Sequence, residues 1–223
     1  MTCRIHPRRE GPGPAWSDHF RDLPVALVSD AMERLQGAGT PLRAMHGGGM
    51  VGPAFTVKTR PGDNPVVHKA LDLAEPGDVV VVDAGGALDN ATVGELMVSY
   101  AARRGLAGLV VDGAIRDSAV LSRGSFPVFA AGVTHRGPYK NGPGLINVPV
   151  AVGGMMIAPG DLVCGDADGL VAISPEDVTR IWDIARRKQA AEARLMKTIL
   201  AGGDDRSWID RALSDVGCVY VET

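Results

Sequence analysis

The sequence predicts an α/β fold built around a parallel βαβ unit, and three stretches of chain carry that prediction. Residues 77–86 and 106–117 are short valine-rich apolar runs, each breaking into glycine and then into charge. Such runs, lacking polar alternation, are typical of strands buried on both faces. Between them, residues 92–104 have helical spacing, with Val93, Leu96, Met97, Tyr100 and Ala101 on one face. A strand–helix–strand crossover is right-handed and its strands are parallel. Both strands then end on one edge of the sheet, where ligands of open α/β sheets bind. The Gly85-Gly86 loop, the helix start and Arg116-Asp117 are expected to meet there.

The length of 223 residues suits one domain with tails. The composition is 45% hydrophobic but only 4% aromatic, so valine and alanine must fill the core. The 29 glycines and 15 prolines call for many tight turns. A net charge of −3, with no long run of lysines or arginines, argues against a nucleic-acid partner. Cys3, Cys164 and Cys218 are odd in number and widely spaced, which gives neither a disulfide framework nor a zinc motif. No stretch has the apolar core of a signal peptide or the length of a membrane span. A soluble cytoplasmic protein with no membrane partner is the expectation.

Along the chain, residues 1–16 read as a flexible arm. Residues 24–35 form a helix candidate, with Val25, Leu27, Val28, Met32 and Leu35 apolar. Gly47-Gly48-Gly49 opens a turn into a strand at 54–59, but the Gly-Lys-[Ser/Thr] ending of a phosphate loop is missing. The glycines near Ala84 likewise lack G-x-G-x-x-G spacing. Residues 64–73 read as a helix stopped by Pro76-Gly77, and a short helix at 118–122 precedes a strand at 127–130. Further β segments fall around 146–152 and 155–158, and 161–164 and 170–173 flank a hairpin turn, Gly165-Asp166-Ala167-Asp168-Gly169. The two aspartates resemble the start of an EF-hand loop, whose glycine would stand two positions later. Ser174-Pro175-Glu176 reads as a helix start. That helix is expected to run to about residue 200 on Ile181, Ile184, Ala185, Leu195 and Ile199, to end at Gly202-Gly203-Asp204-Asp205, and to be followed by a short appendage at 208–213.

The chemistry sits at the strand ends. Arg116 offers a planar fork of donors suited to a carboxylate. Asp117 is a hard oxygen ligand of the kind that holds Mg²⁺ or Mn²⁺ through few protein contacts. Glu95 could join through a water, and free amides between Gly94 and Met97 at the helix start favour an anion. This set suits a 2-oxo acid whose carboxylate and keto oxygens a metal would chelate. Plainer readings compete. Thr92-Val93-Gly94-Glu95 fits a capping box, and Arg-Asp neighbours are common in surface turns. Asp83, Asp89 and Asp112 near the same edge are either supporting groups or turn formers. His68, on a helix with no second histidine or cysteine nearby, fits a structural role better than a catalytic one. His46 and His135 have no partner at metal-ligand spacing.

Several segments together resemble the family of the regulator of ribonuclease activity A and the class II pyruvate aldolases. They are Ser29-Asp30-Ala31-Met32, Gly52-Pro53-Ala54-Phe55-Thr56-Val57, the run from Pro76 to Asp83, Gly94-Glu95-Leu96, Gly113-Ala114-Ile115-Arg116-Asp117, Gly160-Asp161, and Asp166-Ala167-Asp168-Gly169. The resemblance spans roughly residues 25–175. It implies a single RraA-like domain at 17–175, with a central β-sandwich or barrel-like sheet containing the βαβ unit and flanking helices. A C-terminal helical extension at 176–223 follows. It also implies a homotrimer or hexamer with the site at a subunit boundary. By the same resemblance Arg116 holds the pyruvate carboxylate, Asp117 is the one direct ligand of Mg²⁺ or Mn²⁺, and Glu95 acts through a metal-bound water. The amides of Leu96 and Met97 then face the carboxylate, and Glu192 of a neighbouring subunit reaches the metal waters. One departure stands out: the active aldolases carry an acid three positions after the metal aspartate, where this chain has Val120.

The expected function is a divalent-metal-dependent lyase that cleaves C–C bonds of 2-oxo acids. The family's reactions are retro-aldol cleavage of 4-hydroxy-4-methyl-2-oxoglutarate or 4-carboxy-4-hydroxy-2-oxoadipate to pyruvate, and decarboxylation of oxaloacetate. The alternative is a non-catalytic regulator that binds a ribonuclease or helicase. A third reading is a related hydratase-like or sugar-acid lyase activity.

Overall fold

The valine runs form the middle of a sheet, and its other strands and helices are arranged around them. The computed structural model describes residues 3–39, 42–45, 48–203, 205–219 and 221; His46, Gly47 and Asp204, named above, lie outside these. The first elements are β1 (Arg4–Ile5), α1 (Pro14–Phe20), α2 (Val25–Ala31), β2 (Arg43–Ala44), β3 (Met50–Thr59) and α3 (Pro65–Leu73). The central unit is β4 (Val79–Val93), α4 (Glu95–Arg103), β5 (Gly108–Ile115), α5 (Ser118–Leu121) and β6 (Val128–Val133). Then come β7 (Gly144–Ile146), β8 (Val150–Val152), β9 (Met155–Ile157), β10 (Leu162–Asp166), β11 (Gly169–Ile173), α6 (Val178–Leu200) and α7 (Ser207–Asp215).

Strands β3, β4, β5 and β6 are parallel neighbours. Val79 to Val82 lie in register with Gly108 to Val111, and all four valines are 0% exposed. Alternation divides them between two faces. Val80, Val82, Leu109 and Val111 pack with Val67 and Leu71 of α3 and with Met97 and Ala101 of α4. Val79, Val81 and Val110 pack with Phe129 and with Val150, Val152 and Ile157 of the small β8–β9 sheet. Each fully buried valine contributes about 1.5–3 kcal/mol relative to an exposed one, so a polar side chain at any of these four positions is expected to be costly. Strand β3 is shared. Its first half pairs antiparallel with β10, and its second half pairs with β4 and β7. The β10–β11 hairpin thereby joins the main sheet and buries Leu162, Val171 and Ile173 against Phe20, Val28 and Ile181. Asp166 at the hairpin turn accepts from the Val25 N–H at 2.8 Å and from the Asp168 N–H at 2.9 Å. It forms the turn and caps α2, which accounts for the EF-hand-like pair.

Several sequence expectations are corrected. Strand β4 does not stop at Gly85-Gly86 but runs on to Val93 through three register shifts against β5. Both glycines have φ of 68° and form a bulge. Helix α4 buries Met97, Val98 and Ala101, whereas Leu96 is 82% exposed, because the helix starts at Glu95 rather than Thr92. Helix α2 stops at Ala31, since Glu33 and Arg34 are left-handed. Helix α6 starts at Val178 and buries Val178, Ile181 and Ala185, leaving Ile184, Leu195 and Ile199 exposed. The chain divides into two units, Met1–Ala185 and Arg186–Thr223. The second holds the rest of α6 and α7, and α7 buries no side chain. No helix among the described residues is long and apolar enough to cross a membrane.

The stretch expected as a flexible arm is pinned to the first unit. β1 pairs in parallel with β7, and Arg8 makes a bidentate contact to Asp78 at 2.6 and 2.8 Å. Asp78 is buried and also accepts from the Glu75 N–H at 2.8 Å. Together these groups line a cavity of about 720 Å³ at the edge where β4 and β5 begin. Its charges serve the arm and the turn before β4. Replacing Arg8 by alanine strands a buried carboxylate and is expected to cost about 2–3 kcal/mol, since Arg8 is partly solvated. Urea denaturation checks this; a midpoint equal to that of the parent protein would refute the docking role.

Candidate active site

The site forms where β4 and β5 end. The Arg116 N–H donates to the Val93 carbonyl at 3.0 Å, which carries the pairing of the two strands to their last residues. The chain then turns sharply at Asp117, whose φ of 62° is left-handed, a conformation aspartate tolerates better than most residues. This turn aims the carboxylate back across the strand end, where Asp117 Oδ2 accepts from the Glu95 N–H at 2.9 Å. Arg116 Nε lies 3.7 Å from the same oxygen. Gly94, the N-cap of α4, sits against both: a Cβ there would lie 2.6 Å from Asp117 Oδ2 and 3.0 Å from Arg116 Cγ. No residue larger than glycine fits without displacing the pair.

The capping box read from Thr92 and Glu95 does not form. Asp117 holds the amide that a box would use, and Thr92 Oγ1 is buried without a hydrogen-bond partner among the described residues. Arg116 and Asp117 are therefore not an incidental surface turn, because the aspartate closes the helix start of a different segment. The Met97 N–H donates to the Gly94 carbonyl at 3.1 Å, whereas the Leu96 N–H has no acceptor among the described residues. Of the two amides expected to face a carboxylate, Leu96 is the one left to do so. The Gly85-Gly86 pair is not at this point; Gly85 lies beside Pro61 and Gly86 beside Asp112.

Two adjoining cavities share Arg116 as a wall. One, of about 370 Å³, is lined by Asn64, His68, Thr92, Gly94, Leu96, Met97, Gly137 and Lys140. It holds basic groups and no acid. The other, of about 460 Å³, is lined by Glu95, Asp117, Val120, Val133 and His135. The site is thus divided into a cationic chamber and an acidic one. No cluster of three or more metal-ligating side chains occurs among the described residues. Asp117 is 38% exposed, and its Oδ1 makes no hydrogen bond among the described residues. One free carboxylate oxygen with Glu95 beside it fits a hydrated Mg²⁺ or Mn²⁺, which keeps most of its waters, and does not fit a dedicated protein cage.

Sequence reading placed Gly94, Glu95, Leu96, Met97, Arg116 and Asp117 together, and the structure brings them to one edge. Glu192 is exposed on α6 within the second unit. Lys140, Asn64 and Thr92 were missed. The only local signal was the Gly137-Pro138 and Gly142-Pro143 loop around Lys140. Asp83 and Asp112 are structural: Asp83 pairs with Lys58 at 2.9 Å, and Asp112 accepts from the Gly153 N–H at 3.2 Å. Burial, and to a lesser degree Asp83, push the Asp112 carboxyl above its ordinary range, partly offset by the Gly153 N–H. A raised acid loses stability as pH rises through its folded pKa. Asp112→Asn is therefore expected to raise the denaturation midpoint more at pH 7 than at pH 4, and an equal effect at both would exclude the buried charge as the cause.

Asp117 has a structural and a chemical part, and two substitutions separate them. Asp117→Asn keeps an acceptor for the Glu95 N–H and tolerates the left-handed turn. Asp117→Ala loses the cap, at about 1 kcal/mol. Thermal unfolding is expected to rank the parent and the asparagine variant together and the alanine variant lower.

The family model described as Aldolase/RraA matches residues 25–172. A candidate 4-hydroxy-4-methyl-2-oxoglutarate aldolase of Halalkalibacterium halodurans is 41% identical over 172 residues, covering 77% of this chain and 82% of that protein. Among solved structures, an uncharacterized protein from Pseudomonas syringae pv. tomato superposes with a TM-score of 0.77 at 26% identity, over 88% of this chain and 97% of that one. Streptomyces coelicolor RraAS2, described as an unusual member of the RNase ES inhibitor RraA protein family, gives 0.74 at 28% identity, over 83% and 97%. With the family match spanning well over half the chain and the sheet shared with these structures, the protein belongs to the RraA-like family.

Proposed function

We propose that the protein is a divalent-metal-dependent lyase that cleaves C–C bonds of 2-oxo acids. The proposed reactions are retro-aldol cleavage of 4-hydroxy-4-methyl-2-oxoglutarate or 4-carboxy-4-hydroxy-2-oxoadipate type substrates to pyruvate, and decarboxylation of oxaloacetate. The observation that carries the reading is the contact of Gly94 with both Arg116 and Asp117, which sets a cationic chamber beside an acidic one. The aldolase names of relatives such as that of H. halodurans support it.

In this reading Arg116 takes the substrate carboxylate through its fork of donors, and the Leu96 N–H adds a backbone donor. Asp117 Oδ1, with Glu95 beside it, would hold Mg²⁺ or Mn²⁺. Bound there, the ion supplies Lewis-acid stabilisation of the negative charge that develops on the 2-oxo oxygen when the adjacent bond breaks. Arg116, whose side chain lies against the backbone of Gly94 and Gly137, adds its positive charge on the same side. The proposal includes a cytoplasmic homotrimer or hexamer. Exposed Leu96, Val120 and Val133 beside the chambers support an assembly that covers them, and Glu192 of a neighbour would join the acidic chamber.

Val120 favours a second reading. It lines the acidic chamber where active aldolases carry an acid, so a non-catalytic regulator that binds a ribonuclease or helicase is the alternative. Pyruvate release separates the two. With oxaloacetate or 4-hydroxy-4-methyl-2-oxoglutarate, release above the metal-only background is expected with Mg²⁺ or Mn²⁺ and is lost with EDTA. Asp117→Asn is expected to abolish it, and Arg116→Lys to lower kcat/KM by about 10²-fold through loss of the bidentate contact. Absence of release from either substrate, with the fold intact, would favour the regulator.

A further inference from the structure

Residues 134–143, between β6 and β7, form no helix and no strand of their own, yet Gly137, Pro138 and Lys140 among them wall the cationic chamber. Such a segment takes its conformation from contacts outside itself. Its first half is held through main-chain carbonyls: the Ala91 N–H donates to that of Arg136 at 2.9 Å, and Asn90 Nδ2 to that of Gly137 at 2.7 Å. At its middle the Tyr139 N–H donates to the Gly62 carbonyl at 2.8 Å, and the Tyr139 carbonyl accepts from the Asn64 N–H at 3.2 Å.

The second half depends on one side chain. Asp63 is 0% exposed, and its Oδ2 accepts from the Asn141 N–H at 3.1 Å, the Gly142 N–H at 2.7 Å and Arg60 Nη2 at 3.1 Å. Arg60 Nη2 also donates to Asn141 Oδ1 at 3.0 Å, and its guanidinium lies 5.3 Å from the centre of the Tyr139 ring. Gly142 packs so closely that a Cβ there would be 2.8 Å from Asp63 Cγ. Asp63 Oδ1, by contrast, is buried without a hydrogen-bond partner among the described residues. A carboxylate withdrawn from water is costly unless both oxygens are satisfied, and here one is not. Stability of the fold alone does not account for an acid buried in this way. What its bonded oxygen fixes is the path of two consecutive loop residues.

The loop in turn meets Arg116. A Cβ on Gly137 would lie 3.3 Å from Arg116 Nη1, so the guanidinium rests on the loop backbone. That guanidinium is 3.7 Å from Asp117 Oδ2 through Nε and makes no hydrogen bond among the described residues, with the side chain 43% exposed. Packing against Gly137 and Gly94 is then what limits its freedom. An arginine already confined loses less entropy when it takes up an anion.

We propose that Asp63 is a positioning residue for Arg116: by pinning Asn141 and Gly142 it holds the loop so that Gly137 confines the guanidinium to the wall between the two chambers. Asp63 itself lines neither chamber. The inference rests on Arg116 as the anion-binding group of the proposed function. It goes beyond that function by assigning the order of this side chain to an acid on another segment.

Two measurements test it, and the first needs no ligand. Nitrogen-15 relaxation at Arg116 Nε, whose signal is identified by its loss in Arg116→Met, is expected to report an ordered side chain in the parent protein. In Asp63→Asn, whose amide group turns a donor toward the loop N–H groups or leaves one of them unbonded, it is expected to become mobile. Arg60→Met removes one donor and leaves the buried acid in place, and is expected to fall between the two. Arg60 is 42% exposed, so this variant decides the matter if Asp63→Asn does not fold. The second measurement is isothermal titration of the Mg²⁺-loaded protein with pyruvate. Asp63→Asn is expected to weaken binding about tenfold and to have no further effect in an Arg116→Met background. Equal order at Arg116 in the parent and the variants, or a mobile Arg116 in the parent, overturns the positioning role. So does a loss of pyruvate affinity that persists in the Arg116→Met background. If pyruvate does not bind the parent while the order of Arg116 still depends on Asp63, the 2-oxo acid reading falls and the positioning role stands.

Discussion

The parallel pairing of β4 with β5 is the constraint on which the rest of the molecule depends. Val79 to Val82 and their partners have no exposed surface, so both faces of this pair must be covered. Helices α3 and α4 cover one face, and the β8–β9 sheet covers the other. Because the strands are parallel, a crossover helix has to carry the chain back between them. That requirement places the start of α4 and the end of β5 side by side. The meeting of Gly94 with Arg116 and Asp117 follows from strand direction before any chemistry is considered.

At that meeting point one carboxylate serves the fold and remains available for chemistry. Asp117 Oδ2 closes the first turn of α4, where an acid is favoured by the free amides. Its other oxygen is left toward the acidic chamber. The same economy governs Gly94, which is glycine because a side chain would strike the pair rather than because its backbone is unusual. Helix capping and ligand binding therefore use a single geometry, so the site is rigid without a separate support. The left-handed turn at Asp117 is the local strain that accompanies it.

Charge is divided across Arg116. Acids line one chamber and bases the other, and the arginine forms part of both walls. An anion and a cation can then occupy neighbouring positions with each charge facing its complement, which is the arrangement a metal-assisted reaction on an anionic substrate requires. The basic half is built on distant segments. Lys140 is brought in by a loop that Asp63 and Arg60 fasten, and His68 comes from α3. Neither is near Arg116 in sequence.

The sequence by itself determined the buried strands, their parallel sense and the edge on which Arg116 and Asp117 would lie, because hydrophobic runs and crossover handedness are local or nearly local rules. It also identified Gly94, Glu95 and Leu96 as neighbours of that edge. It misjudged where β4 ends, because Gly85-Gly86 looks like a terminator locally, whereas pairing with β5 carries the strand on to Val93. It left the capping box open, since the competitor for the Glu95 amide lies 22 residues further along. Leu96 was assigned to the core for a similar reason: its helix begins later than the spacing alone implies. The tertiary structure alone decided that Lys140, Asn64 and Thr92 join the site, and that the arm at Arg8 is anchored on Asp78. These are contacts between segments far apart in the chain, and no periodicity or spacing records which loop a distant carboxylate will hold.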